Sequence, residues 1–285
     1  GASIAAPALF SSCWTALLPA LLINIYITGL NQITDVEIDR INKPDLPLAS
    51  GGLSVRQAQW VVGACLVGGL ALGFHPACSS VALRSTLLLS ALIGTAYSTG
   101  PRLKRFPLFA ALCILTVRGA VVNVGFYAHA LETCFHASAP ANIEQLLRLP
   151  MTDVKCGLVT AFFAVFGSVI ALMKDVPDIA GDSMHNIKSF TVRLGTARVF
   201  RASTVLLCAL LLGSGGGLLH AATRAPTGTM GFFRAGIGLL SLVASQKVYE
   251  RGAAVDASVP SQVYEYYMFV WKLFYGAYAA LPFAR

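Results

Sequence analysis

Apolar residues run along this chain in blocks of about twenty, separated by short polar breaks, which is the pattern of helices that cross a bilayer. The blocks cover residues 8–38, 55–74, 80–98, 107–130, 153–174, 197–220, 228–249 and 263–283. Residues that end helices fill the breaks: Asn42-Lys43-Pro44 and Ser50-Gly51-Gly52, then His75-Pro76, then Gly100-Pro101. The pattern predicts an all-α, multi-pass transmembrane helical bundle. Eight spans are visible, and because the chain opens at Gly1 in sequence that is already apolar, a ninth is expected upstream.

Composition agrees with the pattern. Hydrophobic residues make up 56% and charged residues 12%, about half the usual share of charge in a soluble protein. Mean hydropathy is +0.68. The net charge of +8 does not make a nucleic-acid surface, because the basic residues are dispersed among short connections. Arg40, Lys43 and Arg56 follow the first block, Arg102, Lys104 and Arg105 the third, Lys188, Arg193, Arg198 and Arg201 the fifth, and Lys247 and Arg251 the seventh. Alternate connections are thus positive, and they define one non-translocated side. The seven cysteines are scattered without a CxxC pair, so they read as small buried hydrophobes and not as a disulfide or zinc framework. The lipid bilayer is the expected partner, with no nucleic acid and no obligate protein partner.

Against this background two acidic clusters stand out. The first is Asn31-Gln-Ile-Thr-Asp35-Val-Glu-Ile-Asp39, and the second is Lys174-Asp175-Val-Pro-Asp178-Ile-Ala-Gly-Asp182. Asn31, Asp35 and Asp39 recur every four residues and would form one row on a helix. Such a row repels itself unless a cation sits among the carboxylates, and ionisable groups at the edge of an apolar segment are costly. Pro177 should end or kink the helix that carries the second cluster. Both clusters lie on the positive side, each is followed by a short basic loop and an apolar step ending at Gly51 or Gly195, and the weak repeat predicts two related halves around a central cavity. Magnesium, which prefers oxygen ligands and leaves positions for phosphate oxygens, is the simplest neutraliser. The two clusters together point to a diphosphate held between them.

Each candidate also has a bland reading. Either cluster alone could be a solvated helix end, and Arg40, Lys43, Lys104, Lys174 and Arg193 serve topology as readily as they serve phosphate oxygens. Tyr97 ends a span and could simply pack. Arg118 differs, because it lies inside an apolar span with Asn123 shortly after it, and a guanidinium there must face a cavity and pair with something. The histidines show no metal spacing, and the aromatic stretch Tyr266, Tyr267, Trp271, Phe274 and Tyr275 reads as interfacial belt or core. The residues alone therefore describe a metal-dependent intramembrane enzyme acting on a lipid diphosphate, in which basic groups and Mg²⁺ stabilise the leaving pyrophosphate and the apolar bundle excludes water.

Asn31-xxx-Asp35-xxx-Asp39 with Asp175-xx-Asp178-xxx-Asp182 resembles the UbiA superfamily of intramembrane aromatic prenyltransferases. Within it, NQITDVEIDRINKPDLPLASG, YSTGPRLKRF, KDVPDIAGD, the SFTVRLG step and the closing FVWKLFYGAYAALPF are similar to the plastid homogentisate prenyltransferases, nearly end to end. The resemblance implies one prenyltransferase domain over residues 1–285, with motifs at 31–39 and 175–182, in the plastid envelope. It implies that Asn31, Asp35, Asp39, Asp175, Asp178 and Asp182 bind two Mg²⁺ and through them the polyprenyl diphosphate. Arg40, Lys43, Tyr97, Lys104, Lys174 and Arg193 would contact this donor. Asp35, Asp39, Asp175, Asp178 and Arg118 form the expected catalytic set, with Arg118 and Asn123 placed on homogentisate not by the resemblance but by their depth in an apolar span. The implied reaction joins the prenyl group to homogentisate with loss of CO2.

The stretch from Thr116 to Tyr127 looks more like the solanesyl branch of that family, which serves plastoquinone synthesis, and the stretch from Ile187 to Phe200 more like the phytyl branch of tocopherol synthesis, with geranylgeranyl transfer for tocotrienol synthesis a further alternative. The expectation taken here is solanesyl, since the Arg118 span lines the expected cavity. Rival readings are chlorophyll synthase, an intramembrane aspartyl protease, whose shared-proton dyad needs neither six oxygen ligands nor basic loops, and a cation-coupled transporter. The layout makes one direct prediction: cysteines introduced across residues 40–54 and 183–193 will react with an impermeant thiol reagent from the same face of sealed vesicles, and reaction from opposite faces overturns it.

Overall fold

The computed structural model describes residues 6–76, 80–135, 139–184, 187 and 189–284, without the side chains of 6–12, 180, 182 and 282. Every regular element among the described residues is helical, as the apolar blocks predict. The chain forms two compact units, Gly1–Ala164 and Val165–Arg285.

The first unit contains α1 (Ala6–Thr34), α2 (Val36–Asn42), α3 (Val55–Gly73), α4 (Val81–Ser98), a 3-10 turn (Leu103–Arg105), α5 (Pro107–Ile114), a π-helical segment (Leu115–Val121), α6 (Val122–Thr133), α7 (Ile143–Thr152) and the start of α8 (Val154–Lys174). Ile23, Tyr26, Val62, Leu83, Leu87 and Ala91 bury the contact among α1, α3 and α4. A Ser54–Gln57 capping box starts α3, and the Tyr26 hydroxyl meets Thr95 Oγ1 at 2.6 Å across α1 and α4. A second cluster joins Ala82, Val124, Ala128, Leu146 and Cys156. Asp153 links the elements around that cluster: its Oδ1 accepts from the Cys156 N–H at 3.0 Å and its Oδ2 from the Tyr127 hydroxyl at 2.8 Å. Those two bonds, the backbone one foremost, hold its carboxyl below the ordinary carboxylate value despite the opposing cost of burial.

The second unit continues from Val165 through the rest of α8 to α9 (Ile179–Met184), α10 (Phe190–Leu194), α11 (Thr196–Thr223), α12 (Gly228–Ala254) and α13 (Pro260–Ala280). Helices α11 and α12 run antiparallel, with Gly215 against Gly238, the Ser214 and Ser241 hydroxyls 3.1 Å apart and Ser245 Oγ donating to Cys208 O at 3.0 Å. Small residues bring the backbones close, and their hydroxyls satisfy carbonyls where no water enters. The Tyr266 hydroxyl donates to Val248 O at 3.0 Å and attaches α13 to α12.

Among the described residues, seven helices are long and apolar enough to cross a membrane, ending with Thr196–Thr223 and Gly228–Ala254. Trp60, Val67, Leu92, Leu158, Val205 and Leu240 are exposed on them, as residues facing hydrocarbon should be. The protein is an integral membrane protein. The expected eighth span is the helix α13, which has the length, but Tyr264, Tyr266, Tyr267, Trp271, Tyr275 and Tyr278 lower its apolarity below that of the seven.

Two local expectations change. The first block is not one helix, because α1 stops at Thr34 and α2 begins at Val36. The connection between the blocks 107–130 and 153–174, to which no element was assigned, contains the amphipathic α7, with Leu146 buried, Ile143, Leu147 and Met151 exposed, and Glu144 paired with Arg148 at 2.8 Å. The predicted break at Pro177 is present, since α8 ends at Lys174.

At Gly119 the π-helical segment touches α8 so closely that a Cβ there would lie 2.7 Å from the Cα of Ala164, whereas a Cβ at Gly63 would meet nothing within 4 Å. Gly119→Ala is therefore expected to destabilise the detergent-solubilised protein by about 1–3 kcal/mol, read as a lower Tm. Gly63→Ala should leave Tm unchanged or raise it.

Candidate active site

The first acidic motif sits where the backbone changes direction. Asp35 lies between α1 and α2 with φ −118° and ψ 14°, and its N–H bonds Gln32 O at 3.3 Å, three residues back. The break removes Asp35 and Asp39 from the straight row expected for them, in which carboxylates four apart on a helix repel. The Asp39 N–H still donates to Asp35 O at 2.8 Å, so the two residues remain on successive turns.

The Asp35 carboxylate is the centre of a charged network. Lys104 Nζ lies 2.6 Å from its Oδ2, Arg102 Nη2 lies 3.2 Å from its Oδ1, and Asn31 Nδ2 donates to Oδ2 at 2.8 Å. Lys104 also donates to Thr34 Oγ1 at 3.0 Å, and Arg102 to Thr34 O at 3.2 Å. Lys104 is only 8% exposed, so the pairing is what makes its burial tolerable. Both cations come from the turn between α4 and α5, where Gly100 has φ +59° and Arg102 has φ +47°. A non-glycine residue in the left-handed region is held there by its surroundings, and here its hydrogen bonds to Thr34 and Asp35 supply that constraint. Thr34 and Arg102 are members of the site that sequence reasoning missed. Arg102 stands two residues before Lys104, but nothing in its residue type signals a left-handed backbone.

In the second unit, Lys174 and Asp175 are half-buried with Nζ 4.0 Å from Oδ1, and Asp178 is buried just past the Pro177 break. The side chain of Asp182, the expected sixth ligand, lies outside the described residues. Among the described residues no three His, Cys, Asp or Glu side chains gather into a metal cage. The donor set nonetheless fits magnesium: it is made of carboxylate and amide oxygens, and at Asp35 two cations already balance the charge that a divalent ion would balance.

The remaining candidates fall into two groups. Asp39, Lys43 and Tyr97 are half-buried, while Arg193 is exposed at the end of α10. Arg40 is exposed and pairs with Glu37 at 2.8 Å, which directs it along its own helix. Arg118, half-buried, belongs to the π-helical segment, and Asn123 Nδ2 donates to Arg118 O at 2.7 Å and Gly119 O at 2.9 Å. The expected homogentisate contact is thus not where the Asn123 amide protons are spent. They go to the carbonyls of the widened turn, and π turns recur at functional sites.

The chain matches the UbiA prenyltransferase family over residues 1–273. It is 40% identical over 285 residues to the homogentisate phytyltransferase of Synechocystis, covering 100% of this chain and 85% of that one. It is 37% identical over 287 residues to homogentisate phytyltransferase 1 of Arabidopsis thaliana, covering 98% and 67%, and 37% identical over 277 residues to the homogentisate geranylgeranyltransferase of Triticum aestivum, covering 95% and 62%. A solved UbiA homolog from Archaeoglobus fulgidus, bound to DMAPP and Mg²⁺, shares the fold, with a TM-score of 0.60 at 17% identity, covering 96% of this chain and 86% of that one. With its helices, its paired Asp35 and a family match that runs almost from end to end, this chain belongs to the UbiA prenyltransferase family.

Proposed function

We propose that the protein transfers a twenty-carbon prenyl group, phytyl or geranylgeranyl, from its diphosphate to homogentisate with loss of CO2. The observation that carries this reading is the 37–40% identity, over 95–100% of this chain, to homogentisate phytyl- and geranylgeranyltransferases. It replaces the solanesyl expectation, since these relatives use twenty-carbon donors by name. The Arabidopsis relative is named as chloroplastic, which supports a plastid membrane as the place of work. The envelope expected from sequence remains part of the proposal, as does a single domain over residues 1–285.

In this reading Asn31, Asp35, Asp39, Asp175, Asp178 and Asp182 hold two Mg²⁺, and the Mg²⁺ bound with DMAPP in the Archaeoglobus fulgidus homolog supports the choice of metal. Magnesium, when bound, supplies positive charge to the departing diphosphate. The chain's own residues do the rest. Lys104 and Arg102 stabilise the pyrophosphate as the allylic carbon–oxygen bond breaks, with Lys43, Lys174 and Arg193 as further donors. The apolar helices keep water from the allylic cation until a ring carbon of homogentisate forms the new carbon–carbon bond. The substituted ring carbon then gives up its proton and the ring regains aromaticity, while the side-chain carboxylate leaves as CO2 and its CH2 takes up a proton, giving a methyl-prenyl-benzoquinol. Arg118 is assigned to the homogentisate carboxylate or phenol because of its place inside an apolar span, where ionisable groups mark substrate pathways.

Purified protein with Mg²⁺, carboxyl-labelled homogentisate and phytyl, geranylgeranyl and solanesyl diphosphates in competition should release labelled CO2 and yield mainly a twenty-carbon product. A mainly solanesylated quinol overturns the donor assignment, and the absence of release with every donor overturns the reaction. Arg118→Ala should raise the homogentisate KM by about tenfold or more, equivalent to ~1.4 kcal/mol, while the KM for the prenyl donor changes little. An unchanged homogentisate KM removes Arg118 from the substrate site.

A further inference from the structure

We propose that Lys104 and Arg102 occupy the metal's place on Asp35 and are handed over to the diphosphate when the metal binds, so that metal and diphosphate bind with positive coupling. The inference rests on the magnesium-dependent reading above and goes beyond it in assigning the order and the residues of the exchange.

Both oxygens of Asp35 carry a cation, Lys104 Nζ at 2.6 Å on Oδ2 and Arg102 Nη2 at 3.2 Å on Oδ1. Magnesium needs a carboxylate oxygen at about 2.0–2.1 Å with near-octahedral access, which an ammonium already seated on that oxygen obstructs. Asn31 faces the same conflict. Its Nδ2 donates to Asp35 Oδ2 at 2.8 Å, whereas a metal ligand must present Oδ1, so its amide has to turn when Asp35 is released.

The displaced cations cannot simply retire to water. Lys104 is 8% exposed, and Arg102 Nε is already buried with no hydrogen-bond partner among the described residues. The diphosphate is an anion that arrives with the metal and can accept from both. Metal alone must break the two ion pairs at Asp35, while metal and diphosphate together offset them, because phosphate oxygens accept what Asp35 gives up. Lys104 and Arg102 thereby act as positioning residues for the metal and as ligands for the substrate.

The test uses the full detergent-solubilised chain and Mn²⁺ as an EPR-visible probe without diphosphate. Lys104→Met should tighten Mn²⁺ binding by about tenfold, equivalent to ~1.4 kcal/mol. Arg102→Gln should do so less strongly, and it leaves the Lys104–Asp35 pair intact should Lys104→Met fail to fold. Arg105→Gln removes the same charge from an exposed neighbour and should change the affinity by less than about twofold. With Mn²⁺ saturating, both site variants should bind geranylgeranyl thiolodiphosphate more weakly than the wild type, so the two affinities move in opposite directions.

A merely structural role for the cations would weaken both affinities together, and that outcome overturns the exchange. So does unchanged Mn²⁺ binding in both site variants, or tightening in Arg105→Gln equal to that in Lys104→Met, which would be a general field effect. Wild-type protein that binds no Mn²⁺ even with the thiolodiphosphate present removes the metal-dependent reading itself, and the exchange with it.

Discussion

A carboxylate at the end of an apolar helix has to be neutralised, and the first unit is arranged so that Asp35 is. The helix stops at Thr34, the next begins at Val36, and the turn after α4 takes a left-handed residue so that Arg102 and Lys104 reach back to Asp35. Two unit charges 4 Å apart interact by about 1 kcal/mol in water and by about 4 kcal/mol at an effective dielectric constant of 20. At a site where Lys104 is almost fully buried the larger figure is the relevant one, and for a divalent ion beside an ammonium the repulsion doubles. If Asp35 holds a metal as proposed, cation and metal compete for it, and the pairing that neutralises Asp35 also sets what metal binding must rearrange.

The same economy governs the backbone. In hydrocarbon an unsatisfied carbonyl costs several kcal/mol, and several carbonyls along the spans accept from side chains. Asn123 donates to the Arg118 and Gly119 carbonyls of the π-helical segment, Ser245 to the Cys208 carbonyl, and Tyr266 to that of Val248. Polar residues are thus divided between two tasks. Those inside the spans that bond to carbonyls support the fold, and those in the connections that bond to a distant charge, as Lys104 does, form the candidate site.

That division explains which parts were legible in the sequence. Spans were readable because twenty apolar residues have few alternatives to a membrane helix, and their ends agree within a few residues from Val55–Gly73 to Val154–Lys174. Asp35 and Lys104 stood out because a charge at the end of an apolar run is conspicuous. Arg102 did not, since its role depends on a backbone angle that its residue type disfavours. The break at Asp35 was equally hidden, because no proline or glycine marks it and the four-residue spacing reads as one continuous helix. Helix α7 was legible in principle from Ile143, Leu146 and Leu147, but its flanking Asn142 and internal Pro150 resembled loop punctuation.

The choice of prenyl donor sets a local likeness against an overall one. The stretch that favoured a solanesyl donor, Thr116 to Tyr127, contains most of the π-helical segment and the asparagine that satisfies it. Its Gly119 is pressed against Ala164, and a Cβ at Gly125 would strike Thr86. Several of its residues therefore answer to helix packing and to the widened turn, constraints that any member of this fold can share whatever tail it binds. A residue set dictated by backbone geometry carries little information on substrate length, whereas identity distributed over the whole chain also samples the surfaces that contact the tail. The relatives named for twenty-carbon donors match over 95–100% of this chain, and that breadth outweighs a motif whose asparagine is already occupied by its own helix.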